Sequence, residues 1–151
     1  MNNAELIITL TLIKGLGRKT INKIIRQGVL NSLETIETID YLNNINLKIK
    51  GIITKDELKY ANEVAKRTIE ICDREDIKIS TLLDEDFPQK LKNIDDNPVI
   101  IYSKGDYNNL NDKGVAIIGS RNPSLHGVNV SYKISSILSQ KNYTIVSGLA
   151  N

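Results

Sequence analysis

The apolar positions change period along the chain, and the change divides it. Leu6, Leu10 and Ile13 recur at helical spacing with Ile7 beside them, and Gly15-Leu16-Gly17 interrupts the run. A second helix is predicted behind the break, with Ile21, Ile24 and Ile25 on one side and Gly28 placed to end it. Shorter helical pieces are expected over Ser32–Ile39 and near Tyr41–Asn44. Thr54 opens a capping box, in which its hydroxyl takes the amide of Glu57 and the Glu57 carboxylate can reach back. The helix behind it carries Leu58, Ala61, Val64, Ala65, Thr68 and Cys72 on one face. That face closes a small all-α domain over residues 1–73, of the helix-hairpin-helix/SAM-like kind.

From Ile77 the period becomes two. Ile77 and Ile79 alternate with polar neighbours as in a short strand, and Asp86-Phe87-Pro88 makes a turn. Asn97-Pro98 then precedes an apolar strand, Val99–Tyr102, ended by Gly105. The last stretch is the most regular. Val115–Ile118 is a strand of the buried type, Gly119–Ser124 a turn, and Val130, Ile134, Ile137 and Leu138 mark the inner face of a helix. A second apolar strand, Tyr143–Val146, leads into Ser147-Gly148. Strand, glycine-containing turn, helix and strand make a βαβ unit, which implies a parallel sheet. The expected fold class is therefore α/β, with residues 74–151 opening a Rossmann-like doubly wound sheet that is incomplete. Two parallel strands do not make a stable sheet, so either Val99–Tyr102 joins them or more chain belongs here.

Composition narrows the chemistry. The 151 residues are 40% hydrophobic and 25% charged, with a net charge of only +2, but the charge is unevenly placed. No acidic residue lies between Glu5 and Glu34, where Lys14, Arg18, Lys19, Lys23 and Arg26 fall. After Asp112 there is no further carboxylate, while Lys113, Arg121, Lys133 and Lys141 follow. Both regions suit anions. Cys72 is the only cysteine and His126 the only histidine, which removes intramolecular disulfides and the common Cys/His metal motifs. No metal or cofactor is expected. No apolar run approaches the roughly 18 residues that span a bilayer, and no signal peptide is recognisable at the start. The expectation is a cytoplasmic protein with no membrane partner.

Two segments are candidates for contact with nucleic acid. Gly15-Leu16-Gly17, followed by Arg18 and Lys19, has the form of a helix-hairpin-helix turn, whose amides and adjacent cations can face a phosphate. The plain alternative is a structural turn before a solvated basic helix. Gly119-Ser120-Arg121-Asn122-Pro123-Ser124 follows the first strand of the βαβ unit, at the carboxyl edge where such sheets bind ligands. Gly119 lets a ligand approach the backbone, Ser120 and Ser124 supply hydroxyls, and Ser124 can cap the helix. Arg121 offers a planar donor fork for phosphate. The dinucleotide fingerprint Gly-x-Gly-x-x-Gly is absent, and no acidic residue follows the second strand to hold a ribose, which argues against NAD. No local general base is evident, His126 and Cys72 read as a bystander and a packing residue, and no catalytic residue is assigned.

Val115-Ala116-Ile117-Ile118-Gly119-Ser120-Arg121-Asn122-Pro123-Ser124, then Gly127, then Ile145-Val146-Ser147-Gly148-Leu149-Ala150 resemble the DNA-processing protein A (DprA/Smf) family. The lead-in segments Asp86–Leu91 and Asn97–Gly105 are similar too, with Phe87 where tyrosine is more usual. The resemblance implies a non-enzymatic bacterial protein that binds single-stranded DNA and helps load the recombinase RecA, chiefly in natural transformation. It implies that Gly119, Ser120, Arg121 and Ser124, with Ser147 and Gly148, line the phosphate pocket. The full-length family is expected to dimerise. The family pattern continues beyond the point reached at Asn151, so the chain is expected to be an N-terminal portion. Two alternatives stand beside this reading. One is a nucleotide-processing enzyme of phosphoribohydrolase type on a related fold. The other is a helical module that contacts duplex DNA through Gly15–Lys19.

Overall fold

Helix α1, Asn3–Leu12, is the centre around which the first part of the chain is built. Asn2 caps it by accepting the Glu5 amide at 2.8 Å. Ile13 leaves the helical region and Gly15 takes φ +95°, a conformation that favours glycine, so the helix stops there. Leu6 to Leu10 are all buried, which requires partners on several sides. Thr9, fully buried, satisfies its hydroxyl on the Glu5 carbonyl at 2.7 Å. The computed structural model describes residues 2–28, 40, 42–43 and 52–148. The short helical pieces expected over Ser32–Ile39 and near Tyr41–Asn44 lie outside the described residues, apart from the helical Leu42 and Asn43.

Helix α2, Arg18–Arg26, and helix α3, Lys55–Arg74, pack against α1, and α3 does so most extensively. The expected faces are the observed ones. Ile21 and Ile24 of α2 are buried and Ile25 packs on the core, while Leu58, Ala61, Ala65 and Cys72 of α3 are buried. Thr54 caps α3 by accepting the Glu57 amide at 3.2 Å. Gly28, with φ +67°, follows the end of α2 as its position predicts. Leu42 and Ile53 complete the cluster, and Asn43 clamps the Ile53 backbone through two hydrogen bonds of 2.8 and 3.1 Å.

The helical bundle does not stand alone, and here the structure departs from an all-α domain ending near Asp73. Strands β1, Lys78–Thr81, and β2, Ile100–Ser103, pair antiparallel, with Lys78 opposite Ser103 and Thr81 opposite Ile100. Both pack on α1, and Val99 belongs to the same buried cluster as Leu6 and Leu10. A two-stranded hairpin is marginal by itself, and the helix surface supplies the cover it needs. Between the strands, Phe87 and Pro88 are buried in the expected turn, and a short helix α4, Gln89–Lys92, follows. The Tyr107 hydroxyl donates to Ser80 Oγ at 2.7 Å, so the segment leaving β2 is tied back to β1. The compact unit accordingly runs to Tyr107, and a second unit begins at Asn108.

The second unit is a single βαβ motif. Strands β3, Gly114–Ala116, and β4, Thr144–Val146, are parallel, with Val115 opposite Ile145, and helix α5, Leu125–Gln140, crosses between them. The Ile117 amide extends the ladder to the Val146 carbonyl at 2.9 Å. Strand β2 does not join this sheet; it pairs with β1 in a sheet of its own. The elements fall where the apolar pattern puts them, but the expected burial does not follow. Val130, Ile134 and Ile137 are 38%, 47% and 54% exposed, and no described residue of this unit is buried. One helix on two short strands covers too little apolar surface to shield its own inner face. The chain is thus of mixed α/β construction, with a well-packed first unit and a second that has secondary structure but no core of its own.

Candidate nucleic-acid interface

The parallel register decides which candidate residues share a place in the fold. Because Ala116 and Val146 are opposite one another, the segments leaving both strands emerge at the same carboxyl edge of the sheet. Gly119, Ser120, Arg121 and Ser124 lie on the first of these segments, and Ser147 and Gly148 on the second. All six are exposed.

The first segment is shaped by its own polar groups. Ser120 Oγ accepts the Asn122 amide at 3.2 Å, which folds the residues around Arg121 into a tight bend. Ser124 then caps α5, its Oγ accepting the Gly127 amide at 3.1 Å. The first turn of α5 has no acidic residue, so nothing within the helix opposes a negative charge at its positive end. Arg121 is exposed and makes no ion pair with another described residue. A Cβ added at Gly119 or Gly148 would meet no atom within 4 Å. Neither glycine is therefore demanded by packing of the chain itself, and the room they leave opens to solvent. Asp112 carries the one carboxylate side chain from residue 108 onward, against four lysines and arginines. It lies on the strand side opposite to the bend, near Thr144, whose hydroxyl donates to it at 3.3 Å. An exposed arginine, two hydroxyls and a helix amino terminus at one sheet edge can take a phosphate group.

In the first unit the expected turn residues are split. Gly15 and Gly17 are exposed, Gly17 being the N-cap of α2 without a side-chain hydrogen bond. Leu16 is only 5% exposed and belongs to the core cluster. Arg18 is engaged by Asp96, to which its Nε donates at 3.0 Å while a second guanidinium nitrogen meets the other carboxylate oxygen. Lys19 is exposed and has no ion-pair partner among the described residues. The long-range Arg18–Asp96 pair could not be read from local spacing. Among the described residues no group of three His, Cys, Asp or Glu is placed to hold a metal, and no helix is long and apolar enough to cross a membrane.

Comparison with known proteins gives this edge a context. The model of the DNA recombination-mediator protein A family matches residues 78–151, which include the hairpin, the βαβ motif and all six residues at its carboxyl edge. The chain is 29% identical over 105 residues to the DNA processing protein DprA of Bacillus subtilis, an alignment covering 69% of this chain and 35% of that protein. It is 38% identical over 71 residues to the protein Smf of Synechocystis, covering 44% of this chain and 18% of that one. The chain therefore spans about a third or less of the length of these relatives. No solved structure matches it significantly.

Proposed function

Through residues 78–151 the chain belongs to the DprA/Smf family of DNA recombination-mediator proteins, and from that premise we propose that it binds single-stranded DNA at the carboxyl edge of its βαβ motif. The observation that carries the reading is the convergence of two family segments at one edge. Gly119, Ser120, Arg121 and Ser124 come from one and Ser147 and Gly148 from the other, and the arginine between the hydroxyls makes no ion pair with a described residue. Arg121 would hold a phosphate through its planar fork, and Ser124 and the first amides of α5 would face the same group. Contacts of this kind follow the backbone and carry little sequence preference. The proposed role is non-enzymatic and cytoplasmic: DNA processing in recombination and natural transformation, with RecA recombinase as a protein partner and a homodimer as the form of the longer family members.

Fluorescence titration with an unstructured labelled oligonucleotide tests this reading directly. Arg121→Ala is expected to weaken binding and to reduce the slope of log K against log salt by about 0.7, the value for one phosphate contact on a single strand. If affinity and slope both stay at the parent values, the edge is not the DNA site.

A further inference from the structure

Helix α2 carries a feature that fold stability does not explain. Its first turn holds Arg18 and Lys19 and no acidic residue, and Gly17 provides no side-chain cap. Cations at the positive end of a helix are unfavourable. Asp96 compensates Arg18, but Lys19 makes no ion pair with a described residue. One and two turns further along lie Lys23 and Arg26, also exposed and without ion pairs to described residues. Positions 19, 23 and 26 share one helix face, opposite the buried Ile21 and Ile24. They line a shallow, open depression of about 250 Å³ whose other walls are Asn22, Gln27 and Asp95.

We propose that this face of α2 is a site for the sugar-phosphate backbone of duplex DNA, separate from the edge at Gly119–Ser124. The three cations span about 10 Å along the helix axis, roughly three phosphates of one strand at 3.4 Å axial rise. The occupant is duplex rather than single-stranded because none of the described residues that line the depression is aromatic. Single-strand sites draw much of their affinity from bases stacked on aromatic rings. A surface that offers only charge favours the ligand with the denser charge, and duplex DNA carries one charge per about 1.7 Å.

The structure also supplies an internal competitor. The turn containing Asp95 is fixed to α2 through the two residues that follow it, by Arg18 to Asp96 and by Asn22 Nδ2 donating to the Asn97 carbonyl at 3.0 Å. Asn22 and Asn97 are 7% and 2% exposed, so Asp95 is held at the rim of the cationic face. The glycine turn starts this helix, with Gly17 as its N-cap, and the proposed contact extends along the helix from Lys19.

The experiment is a pair of titrations of the 151-residue chain, with a blunt 20-base-pair duplex and with a single strand of the same length. Lys19→Ala/Lys23→Ala/Arg26→Ala should weaken duplex binding on the order of ten- to a hundredfold at 0.1 M salt. Its duplex salt slope should flatten by about 2.7, or 0.9 per lost contact. Single-strand binding should change far less. Asp95→Asn, which removes no packing group, should tighten duplex binding by about two- to fivefold. Arg121→Ala should weaken duplex binding by much less than the triple variant does. An unaltered duplex slope in the triple variant with its far-UV circular dichroism retained overturns the proposal. So does an equal loss for both ligands, and so does a duplex defect in Arg121→Ala as large as that of the triple variant. Should the triple variant lose its helical signal, unchanged duplex affinity in Asp95→Asn overturns the proposal by itself.

Discussion

Asp84 closes the turn after β1 and joins it to the start of α1, so its removal should reach beyond its own loop. One carboxylate oxygen accepts the Thr81 amide at 2.7 Å and the Thr81 hydroxyl at 2.9 Å. The other accepts Asn3 Nδ2 at 2.6 Å. Thr81 is fully buried, so Asp84→Ala leaves two donors on a dry residue without their acceptor. Each unsatisfied buried donor costs about 1–3 kcal/mol. The hydroxyl can turn toward another acceptor, which puts the expected loss at roughly 2–4 kcal/mol, a large share of the 5–15 kcal/mol typical of a domain. Asp84→Asn keeps an oxygen for the Thr81 amide and loses the charge, so it should cost only about 1 kcal/mol.

The pH dependence separates this account from a merely steric one. Desolvation raises the Asp84 carboxyl, but the hydrogen bonds from Asn3 and from the Thr81 amide and hydroxyl, with the Lys78 charge, outweigh it and hold the group below its ordinary value. A carboxyl depressed in the folded state contributes stability that is present above the unfolded pKa of about 3.9. That contribution is lost as pH falls through the folded value. Urea unfolding followed by circular dichroism at pH 7 and at pH 2 should therefore show the gap between parent and Asp84→Ala shrinking at the lower pH. A gap below about 0.5 kcal/mol at pH 7, or one of equal size at both pH values, would refute the reasoning.

Other consequences are open to direct measurement. Leu10→Ala empties a fully buried position in the first unit and should cost about 2–5 kcal/mol in the same urea experiment. Ser124→Ala removes the cap of α5 and should cost about 1 kcal/mol locally, seen as faster hydrogen exchange in the first turn of that helix. Amides of β3 and β4 should exchange much faster than those of α1 and α3, because no described residue of the second unit is buried; equal protection would contradict that picture. Cys72 is 5% exposed, and desolvation, followed by the charge of Asp73, raises its thiol pKa. It should resist thiol reagents at neutral pH and react readily in urea, and fast labelling of the folded chain would place it elsewhere.

Local pattern went far in this chain wherever one element's neighbours are adjacent in sequence. The helical period placed α1, α2 and α3, the glycines at 15 and 28 marked the two helix ends, and Thr54 and Ser124 announced their caps. The βαβ motif was legible because its strands, turn and helix each follow a different period within 40 residues or so of one another. Residues 115–124 and 145–150 also carried enough motif to name the family. What these patterns could not convey is which surfaces meet. Pairing of β1 with β2 joins residues about 20 positions apart, and their cover by α1 brings residues some 90 positions apart, such as Leu6 and Val99, into one cluster.

The basic segment around α2 shows the same division. Sequence alone determined that Lys14, Arg18, Lys19, Lys23 and Arg26 occur without an intervening carboxylate, and that the glycine turn begins a helix. Tertiary structure decided what each is available to do. It buried Leu16, matched Arg18 with Asp96 across 78 positions, and left Lys19, Lys23 and Arg26 on one open face. It also decided that the βαβ helix, apolar on its inner side by sequence, remains about half exposed at Ile134 and Ile137. A periodic pattern reports the face a helix would bury; burial itself needs a second surface of matching extent, and that surface is a property of the assembled fold.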